Sequence, residues 1–533
     1  MQIINILLFL ILGAYSLAGI ITAGKIKSTA DYYVMSEKAP TLFLVGSLCA
    51  SYMSAVTMGA GAGEAYARGP IMMLLTGPLG AWCGMIIAVL FIGRRLKALG
   101  CYTLPDFFTK RFSSREVTFV ATLIMIVGLL LYGISQLMAA GYVLSSVTGM
   151  TYGTLILIFV ITLLLFCVPA GMWGVMLTDT LMFVPILIGS LILCPMILNN
   201  IGIENFTTNL PAALDNFWLR GGFENKPISW SVSQFLVWMM FFACSPMVIS
   251  RVFPARNDFA VIKACLISVP LIAVMVTLVY ITAGAMNVTD AVVPYSDAIM
   301  VTAYTTQIPG WLGAIGIVAI ICAIISTASS LFSIVGFGLS RDLYNISGNI
   351  DDDTERENIK RGRIAQAVVI IFAGIIAYLA PITIYNLSVF ASAIFAVGWL
   401  PVIFLALVWP RMNSLAAFSG MSVGITSLCI LTLLTNNGVI VWPSWMNLYL
   451  LSIILAFVAT ISMGLLFRPT HQEMDCYYRI LNTHLSDLMT KELRRFPGAL
   501  ETLLREYRST KRTAWATFIL FVSFWVLLLV WII

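Results

Sequence analysis

One carboxylate, one row of hydroxyls and two weak points in apolar helices are the residues of this chain whose types and spacing could do chemistry. Asp179, in Leu177-Thr178-Asp179-Thr180, is the one acidic residue within or at the edge of an apolar run that is not plainly loop. A carboxylate inside a bilayer costs several kcal/mol unless it is paired or wetted. No Lys or Arg is expected within a span to pair with it. Two readings follow: a headgroup-level cap for the apolar run that starts near Gly174, or a cation ligand. Ser326, Ser329, Ser330 and Ser333 recur at i, i+3, i+4 and i+7, so four hydroxyls share one helical face, with Thr327 beside them. One or two hydroxyls in a span commonly serve helix packing or bond back to the i−4 carbonyl. A full stripe also suits a hard cation, which takes several oxygen ligands.

The weak points free backbone oxygens. Ala50-Ser51-Tyr52-Met53-Ser54 leads into Gly59-Ala60-Gly61-Ala62-Gly63, and Ala243-Cys244-Ser245-Pro246 places a proline inside an apolar run. Proline frees a carbonyl about four residues earlier. An isolated Gly/Pro kink is ordinary. Two breaks in register, one opening each half of the core, are what a transporter with inverted repeats uses to build a midplane site.

The elements that must carry these groups are membrane helices. Of 533 residues, 60% are hydrophobic and only 10% charged, against about 25% charged in an ordinary soluble domain. No Asp, Glu, Lys or Arg occurs between Glu116 and Asp179 or between Arg411 and Arg468. The apolar runs are continuous, which excludes the alternation of barrel strands. Fourteen spans are expected, at roughly 3–23, 41–66, 71–93, 117–146, 151–170, 176–198, 230–250, 262–287, 308–339, 364–382, 384–408, 413–434, 445–467 and 514–532. The first lacks a basic n-region and is too long for a signal peptide, so it is read as a retained span. With both termini extracytoplasmic, 27 of the 30 Lys and Arg residues fall in cytoplasmic loops, leaving Arg68, Arg220 and Lys226 outside. The cell membrane is the expected location.

The domain plan follows: an extra span and loop at 1–40, a transport core at 41–408, two peripheral spans at 409–467, a cytoplasmic segment at 468–513 and a last span at 514–533. The acidic run Asp351-Asp352-Asp353 is a solvated loop. Leu485, Leu488, Leu493, Leu503 and Leu504 have the spacing of a surface amphipathic helix. No Walker A or GxGxxG pattern in its strand–helix context appears, and both histidines, His471 and His484, lie in the cytoplasmic segment. The ten cysteines are scattered without metal spacing and read as apolar fillers. An enzyme is not expected, and neither is a nucleic-acid partner.

Five islands in order resemble the sodium:solute symporters, the family of proline, pantothenate, monocarboxylate and sugar cotransporters. They are Ala30-Asp31-Tyr32-Tyr33, Ala50 to Tyr66, Thr103-Leu104-Pro105-Asp106-Phe107-Phe108, Gly171 to Asp179, and Ser326-Thr327 followed by Ser340-Arg341-Asp342-Leu343-Tyr344. The resemblance runs from about residue 28 to 470. It implies an all-α polytopic fold with a LeuT-type five-plus-five inverted repeat and flanking helices. It also implies a shared sodium site at Ala50, Met53, Ala323, Ser326 and Thr327, and a second at Asp179, Ser326, Ser329 and Ser330, hence two sodium ions per solute. By similarity to the proline transporters, Tyr132, Trp238, Phe242 and Pro246, with Ser245 at the same break, face the solute. Tyr52 stands where those transporters have an aspartate and Val56 where they have a tryptophan, and the stretch from Ala50 to Tyr66 is closer to the pantothenate and monocarboxylate branches. The expected cargo is a small organic solute of carboxylate, vitamin or amino-acid type. The alternatives are a proton-driven or uniport carrier of the same fold, which calls for a midplane carboxylate or histidine, and a transporter-like sensor, which calls for an attached signalling domain.

Overall fold

The computed structural model describes residues 2–202, 228–293, 295–346, 354–379, 384–482 and 499–532. Among these, helices account for all regular structure. The sole pairing outside them is an isolated parallel bridge between Ala39 and Ala255. The long helices are α1 (Gln2–Ala23), α2 (Thr41–Tyr52), α3 (Gly61–Arg68), α4 (Pro70–Ala98), α5 (Arg115–Thr148), α6 (Tyr152–Ile201), α7 (Ile228–Cys244), α8 (Asp258–Val288), α9 (Gly310–Leu343), α10 (Glu355–Leu379), α11 (Ile384–Val408), α12 (Ser414–Asn436), α13 (Leu448–Leu466), α14 (His471–Asn482) and α15 (Ala499–Ile532).

Eleven helices among the described residues are long and apolar enough to cross a membrane, and the bent pair α2/α3 makes twelve. The fourteen expected spans differ from this at two places. The expected spans 151–170 and 176–198 are the two helical segments of α6, whose 50 residues count once by length and composition. The helix is interrupted at Gly171, with φ 52 and ψ −141. Only glycine adopts that conformation readily, and a Cβ there would lie 2.6 Å from the carbonyl oxygen of Tyr32. The expected last span is the C-terminal part of α15, a 34-residue helix whose first half is rich in Arg, Lys and Glu. The acidic run 351–353, Arg220, Lys226, His484, Leu485, Leu488 and Leu493 lie outside the described residues. Leu504 lies on the first turns of α15 and is exposed.

Burial ranks the helices from centre to rim. In the apolar window of α9, 94% of residues are buried, against 28% in α13. Leu10, Leu157, Ile371, Leu433 and Leu466 expose apolar side chains on the outer helices, as a surface facing lipid requires. Helix α9 packs against α2, α5, α6 and α10, so its hydroxyl face is enclosed by the first half of the chain. The pair α4/α7 packs through glycines: Gly77, Gly80 and Gly84 place the α4 backbone on Phe235, Trp238, Met239, Phe242 and Ala243 of α7. Small residues at a helix contact allow this close approach in a membrane, where packing drives association.

Candidate functional site

Both sequence breaks are real, and each is held open by side chains. Helix α2 stops at Tyr52, and Met53 leaves the helical region with φ −72 and ψ 89. The chain recovers through a π-helical turn, Val56–Ala60, before α3, and the two helices are bent by 53°. Backbone donors released by the break need partners in a water-poor interior. Gln136 Oε1 of α5 accepts from the Ala55 N–H at 3.0 Å, and Ser54 Oγ from the Thr57 N–H at 3.3 Å. The Thr57 hydroxyl donates to the Tyr52 carbonyl at 3.0 Å. The second break ends α7: Ser245 is extended (φ −62, ψ 122), and only the short turn Pro246–Ile249 follows. Residues 254–256 are then tied back to the chain before α2. The Ala39 N–H donates to Pro254 O at 2.9 Å and the Arg256 N–H to Ala39 O at 3.1 Å.

Around the first break, α2 and α9 meet oxygen to oxygen. Ser326 Oγ lies 2.9 Å from Ala50 O and 3.2 Å from Ala323 O. Thr327 Oγ1 lies 3.0 Å from Ala323 O and 3.2 Å from Ser51 O. Ala50, Met53, Ala323, Ser326 and Thr327 have no solvent exposure. The structure thus gathers Ala50, Ala323, Ser326 and Thr327 into one oxygen cluster and puts Met53 at the adjoining break. Such a set of carbonyls and hydroxyls suits a hard monovalent cation: it supplies several oxygens and no net charge.

One helical turn further along α9, a second cluster differs from expectation. Asp179, fully buried on α6, uses Oδ2 as a hub. Ser47 donates to it at 2.6 Å, Ser51 and Ser330 at 3.4 Å each, and Arg251 Nη2 lies 3.2 Å away. The expectation that no Lys or Arg pairs with Asp179 is therefore corrected: Arg251 does, and its side chain is 1% exposed. The reason is the turn after Pro246, which folds the chain back beneath α2 instead of releasing it into a loop. Arg251 Nε lies 3.1 Å from Ser47 Oγ, Nη1 lies 3.0 Å from Ser250 Oγ, and Nη2 lies 3.0 Å from Ser51 Oγ and also bonds Ser330 Oγ. Removing Arg251 from the loop tally leaves 26 of the 30 basic residues on the expected inner side. Of the three residues expected to join Asp179, only Ser330 reaches it by a hydrogen bond. Ser326 faces the first cluster, and Ser329 Oγ donates to the Ser326 carbonyl at 3.0 Å. Ser326 and Ser330 of the stripe thus belong to different clusters. Ser47 and Ser51 were not singled out, although their i, i+4 spacing on α2 marks a polar face.

A small cavity lies beside the break. Tyr132, Trp238 and Phe242 line it, joined by Tyr52, Thr57, Tyr280 and Tyr385. Tyr52 and Phe242 pack with ring centroids 5.0 Å apart. Ser245 and Pro246 are buried at the α7 break but are not part of this lining. Among the described residues, no Asp, Glu, Lys or Arg lines the cavity. Tyr52 connects the two sites. Its ring forms cavity wall, and its neighbours Ser51 and Met53 belong to the oxygen-rich end of α2. Tyr280 and Tyr385 come from α8 and α11, far along the chain, with no local sequence signal to mark them.

Comparison with known proteins bears on the family and the fold. The family model described as the sodium:solute symporter family matches residues 32–424. The sodium/proline symporters of Salmonella typhimurium (strain LT2) and Escherichia coli (strain K12) are each 24% identical over 369 residues, covering 65% of this chain and 69% of theirs. Among solved structures, a Na+-coupled sialic acid symporter in a substrate-bound outward-open state superposes with TM-score 0.72 at 18% identity, covering 88% of this chain and 98% of that one. A nucleobase-cation-symport-1 family transporter, closed around bromovinylhydantoin, superposes with TM-score 0.50 at 12% identity, covering 85% and 99%. These likenesses establish a shared LeuT-like fold.

Proposed function

The chain belongs to the sodium:solute symporter family, and from that premise we propose that it imports a small organic solute through the cavity between α2, α5 and α7, driven by sodium bound where α2 and α9 meet. It is a multi-pass membrane transporter and not an enzyme. The observation that carries the sodium site is the cluster of Ala50, Ala323, Ser326 and Thr327 oxygens at the α2 break, with Met53 beside it. A cation there would draw α2 and α9 together, replacing the hydroxyl–carbonyl bonds with direct ligation. Tyr52, one residue from that contact, already stands in the cavity wall, which couples ion to solute: both favour one conformation of the break.

The cavity's lining suits a solute of carboxylate, vitamin or amino-acid type. Trp238 and Phe242 offer apolar faces to its body, and the hydroxyls of Tyr52, Tyr132, Tyr280 and Tyr385 offer hydrogen bonds to a polar end. The cytoplasmic face is the one carrying most basic residues, which sets both termini outside the cell membrane. Two sodium ions per solute would require the Asp179 cluster to admit an ion as well. Arg251 already lies within that cluster, and this favours a single ion. A thermal-shift screen of the purified protein against amino acids, carboxylates, vitamins and sugars, with sodium or with potassium, tests the proposal. One solute class should raise the melting temperature only when sodium is present. An equal shift in potassium would refute sodium coupling.

A further inference from the structure

We infer that Arg251 is a resident cation, filling the second cation cluster so that one sodium ion, not two, accompanies each solute. This rests on the sodium-coupled reading above and deepens it.

Ser47, Ser51 and Ser330 surround the Asp179 carboxylate with hydroxyl oxygens, a set able to ligate sodium. Every one of those hydroxyls also contacts the Arg251 guanidinium. Lone pairs that would face an ion face N–H groups instead. The charge is balanced as well: one carboxylate, one guanidinium, and otherwise only neutral hydroxyls. A sodium ion entering here would meet a fixed positive charge in a dehydrated pocket, without a second anion to offset it. Arginine suits such a role because its planar fork keeps its charge and aims several donors at once. The position is built, not incidental. The turn Pro246–Ile249 and the bonds between Ala39 and residues 254–256 fix the backbone on either side of Arg251. Asp179 Oδ1 remains without a hydrogen-bond partner, but a single carboxylate oxygen falls short of the several that sodium takes.

The test is equilibrium binding of ²²Na⁺ to the purified full-length protein in lipid nanodiscs. The wild type is expected to saturate at one ion per chain with a Hill coefficient of 1, and Arg251→Gln at two. Adding Asp179→Asn to Arg251→Gln should return the count to one. Ser326→Ala with Thr327→Ala should abolish binding in the wild-type background and leave one ion in the Arg251→Gln background. Two ions bound to the wild type, or one still bound to folded Arg251→Gln, overturns the inference. Should Arg251→Gln fail to fold, the wild-type count and the Ser326/Thr327 variant decide alone, since an ion surviving that double substitution places sodium beside Arg251. Absence of ²²Na⁺ binding in every protein instead refutes the sodium-coupled reading itself, which separates the two failures.

Discussion

Substituting Asp179 by Asn should destabilise the protein by about 3 kcal/mol, because removing one member of a buried ion pair strands the other (about 3–5 kcal/mol). The lower end applies here. The guanidinium keeps hydroxyl oxygens of Ser47, Ser51, Ser250 and Ser330 as partners when the carboxylate is neutralised. Arg251→Gln should fall higher, at about 4–5 kcal/mol, because it strips the buried Asp179 of its cation, with only Ser47, Ser51 and Ser330 donating and Oδ1 unpartnered. The double variant leaves no stranded charge, so it should cost far less than the sum, giving a coupling energy of about 3 kcal/mol. The assay is a double-mutant cycle by denaturant unfolding in detergent micelles, run in potassium so that sodium does not stabilise the Arg251→Gln protein. Additivity to within about 0.5 kcal/mol would refute the reasoning, since independent sites add to that tolerance.

Two further outcomes follow from packing and charge. Gly84→Ala should destabilise by about 1–3 kcal/mol, the usual cost of overpacking, because the new methyl would run into backbone and Cβ atoms of Met239, Phe242 and Ala243. Gly77→Ala, whose Cβ meets only the Trp238 ring at 3.4 Å and beyond, should be near neutral, and a thermal melt separates the two. Asp297 lies outside the membrane spans, beside Glu64. Burial first and the Glu64 charge second raise its carboxyl above the ordinary range, while a hydrogen bond from Ser296 opposes them. A carboxyl raised in the folded state adds stability while protonated and loses it as pH rises through the folded value. Asp297→Asn should therefore melt higher than wild type at neutral pH, and the two should converge below about pH 4, where the unfolded aspartate also protonates. A difference that is constant across this range would contradict the assignment.

Much of the fold was legible because it depends on local pattern. Continuous apolar runs gave the spans, and the Gly-rich and Ser-Pro stretches marked both breaks where α2 and α7 end. Gly171 was less legible. Its positive φ kinks α6 between the two expected spans, and only Pro169 nearby hints at so sharp a break. The hydroxyl stripe was visible, but its division between Ala50 on one side and Asp179 on the other depends on how α2 and α6 approach α9. Arg251 was misplaced for a physical reason: a basic residue just past a proline break reads as the start of a cytoplasmic loop. Only the tertiary bonds between Ala39 and residues 254–256 turn it inward. Gln136 carried a signal that was passed over, since a lone glutamine within an apolar span needs a partner, and here it satisfies the Ala55 N–H.

The most direct measurement of the central claim is solute-driven ²²Na⁺ entry into proteoliposomes, using the solute found by the sodium-dependent thermal shift. Wild-type protein should carry sodium inward only when that solute is outside. Ser326→Ala with Thr327→Ala should abolish that flux while the protein stays folded, because it removes both hydroxyls facing Ala50, Ser51 and Ala323. Undiminished coupled flux in that variant would contradict a sodium site at the α2–α9 contact.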